Sequence, residues 1–241
     1  MMTDLTALKA ANAKRWQDAN LTQNFALVAG RLIEPAARQR YRSVSLKTGV
    51  PWCFIAIVHE RECSQDWRGS LAQGDPWDRV SVHVPAGRGP FNSWEEAAID
   101  ALANCAPFAA RNRDWSIGGA LTKLEEYNGL GYAARGRPSP YIWSGTDQYV
   151  SGKYVRDGVY DLDAFDGQLG CAGLLMAMMA LDPTITLTGA VLTPSAGAPP
   201  FPKPAAPVAP KPPPSVTNPA KGSIGAAIAS LVSAIFSVFR K

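Results

Sequence analysis

The chain has 241 residues, 46% of them hydrophobic, which suffices for one packed domain with some chain left over. Its net charge of +4 is unevenly placed: from Pro183 onward the charged residues are Lys203, Lys211, Lys221, Arg240 and Lys241, with no acid. Removing those five from the 24 bases leaves 19 against 20 acids, a net of −1, in residues 1–182. A neutral body with a basic tail lacks the clustered positive face of a nucleic-acid binder and suits an anionic surface such as a membrane or cell envelope.

Residues 4–47 are expected to be helical pieces. Leu5, Leu8, Ala11 and Trp16 recur near helical spacing, and Phe25, Leu27, Val28, Leu32 and Ile33 follow. The start, MMTDLTALKAANAKRW, is polar and amphipathic and lacks the apolar core and cleavage site of a secretory signal, so synthesis and folding in the cytoplasm are expected. A new helix begins near Trp52, with Pro51 suited to its first turn. Trp52 to Val58 is almost entirely apolar, which predicts a buried helix.

Residues 64–95 carry Gly69, Gly74, Gly87 and Gly89 and read as loop. Within them Val80, Val82 and Val84 alternate with Ser81 and His83, a strand pattern. Ser93-Trp-Glu-Glu96 is a capping box that opens a helix through about Ala103, and a further helix is expected over 117–127. Residues 163–181 are expected to close the domain as a helix whose Leu169, Leu174, Leu175, Met178 and Met179 are core packing. The whole reads as mainly α, with a small β element.

Composition then changes. Of 20 prolines, 11 lie between Pro194 and Pro219, which predicts an extended, disordered linker over 185–221 after a domain of residues 1–184. Residues 222–239 hold no charge; as a helix they would span about 27 Å, close to a bilayer core. Lys221 and Arg240-Lys241 bracket them, and Gly222, Ala226, Ser230 and Ala234 form a ridge of small residues. A terminal helix packed on the body is the alternative, but the long Pro-rich tether favours a membrane-interacting helix.

Four cysteines, Cys53, Cys63, Cys105 and Cys171, are too sparse for a disulfide scaffold and read as free buried thiols. No Cys-x-x-Cys pair occurs and His59 and His83 are the only histidines, so neither a zinc site nor another cofactor is expected.

The chemistry concentrates in Ile57-Val-His-Glu-Arg-Glu-Cys-Ser64, at the end of the buried helix. Glu60 and Glu62 both extend apolar rows. Glu62 is nearer the helix C-terminus, where the dipole disfavours a carboxylate. Partial burial raises the pKa further. A glutamic acid held protonated near neutral pH is what a general acid requires. Glu60 is expected to pair with Arg61 or to face solvent.

Several separate stretches resemble a phage and prophage branch of the lysozyme superfamily, akin to goose-type lysozymes and lytic transglycosylases. They are Pro51–Arg68, Gln73-Gly-Asp-Pro76, Val80–Pro85, Ser93–Asp100, Ala120–Gly129, Gly131-Tyr132, Ser139–Gly145 and Gly152–Gly158. The resemblance spans residues 1–182 and implies an α+β lysozyme-like fold. It also implies a catalytic glutamate in an Arg-Glu-Ser unit at the end of a buried helix. Arg61-Glu62-Cys63 matches that unit with cysteine in place of serine, which supports Glu62 over Glu60. By the same resemblance Tyr127-Asn128-Gly129 lines the sugar site, Gly74-Asp75 faces the cleft, and Tyr141 lies close to the glycan; Trp143 stands equally as a core aromatic. The implied activity is cleavage of peptidoglycan between N-acetylmuramic acid and N-acetylglucosamine by a monomer acting on the periplasmic wall. Residues 222–239 would associate it with the bacterial membrane.

Hydrolysis, with a water positioned near Asp75, and anhydro-forming transglycosylation, with Glu62 as acid then base, remain open at this level. Glu125, Glu126 and Asp147 are spare acids, and Glu126 reads as structural or solvent-facing. The other readings are a catalytically silent glycan-binding or membrane-tethered envelope protein, a chitinase-like hydrolase, and a thiol enzyme using Cys63 with His59 or His83.

Overall fold

The computed structural model describes residues 3–156 and 158–189. Helix α1 (Leu5–Asp18) starts where the Asp4 carboxylate accepts from the amides of Thr6 and Ala7, satisfying two donors that a helix start leaves free. Helices α2 (Ala26–Ile33) and α3 (Pro35–Thr48) follow, separated at Glu34 because Pro35 cannot continue a helix but suits a first turn. Gly49 at φ 73° ends α3 in the left-handed region, where glycine carries no Cβ penalty.

Helix α4 (Trp52–Cys63) is the buried helix that the apolar run predicts. Pro51 stands just before it, its carbonyl accepting from Ile55, and every residue from Cys53 to His59 is buried. Helices α2, α3, α6 (Ile117–Tyr127) and α9 (Cys171–Leu181) pack around it. Phe54, Ile55, Ile57 and Val58 therefore pack on all sides, each side chain contributing about 1.5–3 kcal/mol by leaving water.

Helix α5 (Trp94–Asn104) opens with the predicted Ser93 cap, whose hydroxyl accepts from the Glu96 amide. The return half of the box lies one residue earlier than expected, since the Glu96 carboxylate accepts from the amide of Asn92 rather than of Ser93. Two single turns, α7 (Gly131–Ala134) and α8 (Pro140–Trp143), lead to the strands β1 (Lys153–Arg156) and β2 (Val159–Asp161). These pair antiparallel, Tyr154 opposite Tyr160, and the rings of Tyr132, Tyr154 and Tyr160 meet edge to face.

The described residues are thus mainly helical with one small antiparallel sheet, but two elements lie elsewhere than expected. Val80–Val84 is loop, not strand: the amides of Val82 and His83 bond the Asp75 carboxylate, leaving no ladder for a neighbour, and Val82 and Val84 stay exposed. The closing helix begins at Cys171 rather than 163. Before it, the Asp161 carboxylate ties down the amides of Asp163 and Ala164, and Gly170 bonds the carbonyl of Ser144. The folded unit also runs past residue 184, because Ile185 is buried and Leu187 packs on the core. No helix among the described residues is long and apolar enough to cross a membrane; the expected linker from residue 190 on and the helix over 222–239 lie outside them.

Candidate active site

Glu62 is the penultimate residue of α4, and the chain turns sharply just beyond it. Ser64 and Gln65 both have positive φ, 52° and 58°, with the Ser64 amide on the Glu60 carbonyl and the Gln65 amide on the His59 carbonyl. Neither is glycine, so each conformation costs on the order of 1–3 kcal/mol and persists only if the surroundings enforce it. A buried polar chain does so. Gln65 Nε2 donates to Tyr41 Oη at 3.0 Å, and Tyr41 donates to His59 Nδ1 at 2.9 Å. His59 Nε2 donates to the Asp66 carbonyl at 3.0 Å. A carbonyl only accepts, which places the imidazole proton on Nε2. Burial among Tyr41, Trp67 and Trp94 lowers the His59 pKa to about 4, so the ring is a neutral strut.

Among the described residues the Glu62 carboxyl accepts one side-chain hydrogen bond, from Tyr141 Oη at 2.6 Å. Burial pushes its pKa above the ordinary carboxylate range, and the Tyr141 hydroxyl and the Arg61 charge pull it back only in part. Arg61 does not pair with Glu60. Its guanidinium lies 4.4 Å over the Tyr141 ring and donates to the Leu169 carbonyl, which holds Tyr141 in place. Glu60 instead pairs with Arg31 at 2.7 Å, a correction of the expectation, because α2 brings that arginine alongside α4.

Tyr141 joins Glu62 to a depression of 400 Å³, lined also by Asn128, Tyr132, Lys153, Tyr154 and Arg156. Asn128 follows α6, exposed, with Nδ2 3.4 Å from Ser139 Oγ. The Tyr127 hydroxyl is buried with no partner among the described residues, near enough to Glu62 for that charge to add to burial in raising its pKa. Tyr127, Asn128 and Tyr141 are thus brought to the Glu62 side of the molecule by α6 and α8. A cavity of 530 Å³ lies elsewhere, between α1 and α7. It presents Arg15 and Arg137 over an alanine-rich floor.

Asp75 lies in the loop packed on the end of α4, where a Cβ on Gly74 would stand 3.4 Å from the Glu62 carbonyl oxygen. Its carboxylate is engaged by three donors. It accepts from the amides of Val82 and His83 and from His83 Nδ1. Burial raises its pKa, but these donors outweigh burial and hold it below the usual carboxylate range. Trp143 is a core residue, fully buried. Glu126 pairs with Lys123, and Asp147 binds Asn20.

All four cysteines are free; Cys53, Cys105 and Cys171 are buried and Cys63 half-buried. Burial, with nearby Glu62 adding to it, pushes the Cys63 thiol up to about 12, so it is not a thiolate. Both nitrogens of His59 are occupied, which removes the nearest base from Cys63. No group of three potential metal ligands occurs among the described residues.

Two features escaped the sequence reading. The His59–Tyr41–Gln65 chain has no signature, since its members come from α3, α4 and the following turn. The Asp75–His83 pair lies eight residues apart, and the alternating valines masked it as strand. Comparison with protein-family models, with curated proteins and with solved structures finds no match.

Proposed function

We propose that the chain is a peptidoglycan-cleaving enzyme with a lysozyme-like fold, with Glu62 as the general acid. The observation that carries this reading is a carboxyl at the end of a buried helix, its pKa raised by burial. That carboxyl accepts a hydrogen bond from a tyrosine that lines an open, aromatic and polar depression. The resemblance of residues 1–182 to phage lysozymes and lytic transglycosylases supplies the substrate class.

Glu62 gives its proton to the glycosidic oxygen between N-acetylmuramic acid and N-acetylglucosamine. The C1–O bond breaks, its electron pair goes to the leaving oxygen, and positive charge develops on the muramyl ring. A water then attacks C1, or the muramyl 6-hydroxyl closes the ring. In the second case Glu62, now ionised, takes back the hydroxyl proton and no second base is needed. Tyr141 and Arg61 suit this cycle, because both stabilise the carboxylate that proton donation leaves behind. The basic Pro-rich segment and residues 222–239 would hold the enzyme at a membrane.

The test is release of soluble fragments from purified peptidoglycan by the full chain, with Glu62→Gln alongside. The expected result is loss of nearly all release with an unchanged circular dichroism spectrum. Equal release by the variant would remove Glu62 from the role, and no release by the wild type would leave a glycan-binding or envelope protein as the reading.

A further inference from the structure

Asp75 and His83 form a second polar centre in the loop that packs against the end of α4. Asp75 Oδ1 lies 2.6 Å from His83 Nδ1, and Oδ2 accepts from the amides of Val82 at 2.8 Å and His83 at 2.9 Å. The carboxylate is nearly covered, 11% exposed, whereas the imidazole is 73% exposed. An ionised carboxylate only accepts, so the proton of neutral His83 is on Nδ1 and the lone pair on Nε2. No group among the described residues bonds Nε2. A covered carboxylate holding one nitrogen of an exposed imidazole fixes both tautomer and orientation, the arrangement that makes the other nitrogen a base.

The loop around this pair is held firmly. Ser81 Oγ donates to the Pro85 carbonyl and accepts from the Arg88 amide, and Arg88 pairs with Asp100 on α5. The Gly74 amide bonds the Ser70 carbonyl, and the Ser70 amide bonds the Asp75 carbonyl. Gly69 and Gly74 are required where this loop meets α4: a Cβ on Gly69 would come 2.9 Å from Cys63 Cβ, and Gly74 faces the Glu62 carbonyl. Asp75 thus begins one Cα step, about 3.8 Å, beyond a residue in contact with the Glu62 backbone. The other carboxylates of this region are engaged: Glu60 with Arg31, Asp66 with Arg68 and Asp100 with Arg88.

We propose that His83 is the base of a hydrolytic reaction, with Asp75 as its positioning residue; this rests on the muramidase reading above. His83 Nε2 takes a proton from water as the water oxygen bonds muramyl C1. The C1–O bond to the leaving sugar breaks toward its oxygen, which takes the Glu62 proton. The imidazolium then returns its proton to solvent and Glu62 regains one. The product therefore carries a reducing muramyl end. His83, not Asp75, is the group that exchanges the proton; Val82 and Val84 stand exposed on either side of it.

The experiment is mass spectrometry of fragments released by the full chain and by its His83→Asn, His83→Ala and Glu62→Gln variants, with melting curves for each. Asn keeps a donor toward Asp75 but has no base. We expect reducing ends from the wild type, a fall in release of about 100-fold or more in both His83 variants, and partial restoration of His83→Ala by added imidazole. Asp75→Asn should lower kcat on a soluble glycan oligomer and leave KM within about twofold; a change in KM with kcat intact would overturn the positioning role. Anhydro ends from the wild type, wild-type release by either His83 variant, or no rescue by imidazole would overturn the proposal for His83. If instead Glu62→Gln remains active, the muramidase reading itself fails; an inactive Glu62→Gln beside an active His83→Asn removes His83 alone.

Discussion

Replacing Tyr141 by phenylalanine removes its hydrogen bond to the Glu62 carboxyl and leaves the ring under Arg61. Three influences act on that carboxyl. Burial raises its pKa, and the Tyr141 hydroxyl and the Arg61 charge lower it. A hydrogen bond to a charged group is worth about 1.5–3 kcal/mol. Its loss should therefore move the Glu62 titration upward, by the equivalent of that energy. The assay is a carbon-13 NMR titration of the glutamate carboxyls, wild type against Tyr141→Phe, with Glu62→Gln assigning the resonance. The sign carries into stability. A carboxyl whose folded pKa is raised contributes stability that is fully present below its unfolded pKa and is lost as pH rises through the folded pKa. Tyr141→Phe should therefore destabilise more at alkaline than at acid pH. If Glu62 is the general acid, the alkaline limb of the pH–rate profile shifts upward with its titration. A midpoint that stays put or falls would refute the reading that Tyr141 stabilises the ionised form.

Glu125 is buried against Asn12 of α1, and burial pushes its pKa up to about 7. Its contribution to stability is fully present below the unfolded carboxyl range, and about 3 kcal/mol should be lost as pH rises from that range through about 7. Glu125→Gln should flatten that slope in urea titrations between pH 4 and 9, and an unchanged slope would remove Glu125 as its source. At Gly170 a Cβ would stand 2.5 Å from the Ile142 carbonyl oxygen and 2.7 Å from the Ser144 nitrogen, backbone that cannot step aside. Gly170→Ala should cost about 1–3 kcal/mol by overpacking and disturb the Leu169 carbonyl that holds Arg61, so melting temperature and fragment release fall together. A chain ending at residue 189 should keep wild-type release from purified wall while losing partition to anionic vesicles; loss of release would place the tail within the fold.

What the residues determined alone is local. The apolar run from Trp52 to Val58 dictates a buried helix wherever its partners lie. Ser93 caps α5 within one turn of itself, and α6 has the expected bounds Ile117–Tyr127. The position of Glu62 was legible for the same reason: its place at the end of that helix follows from spacing, and burial there raises its pKa. Tertiary structure decided the partners. Tyr141 meets Glu62 across 79 residues and Arg31 meets Glu60 across 29. Neither contact leaves a mark in the spacing of residues, so Glu60 was expected beside its neighbour Arg61. The same holds for Val80–Val84. Alternation records only that every second side chain is apolar, whereas a strand requires a neighbour to accept its amides. Here a covered carboxylate at Asp75 takes those of Val82 and His83, and the pattern folds into a loop that presents an imidazole instead. Periodicity reports the face a residue would show to a core, while hydrogen bonding between distant segments decides which core, and which site, is formed.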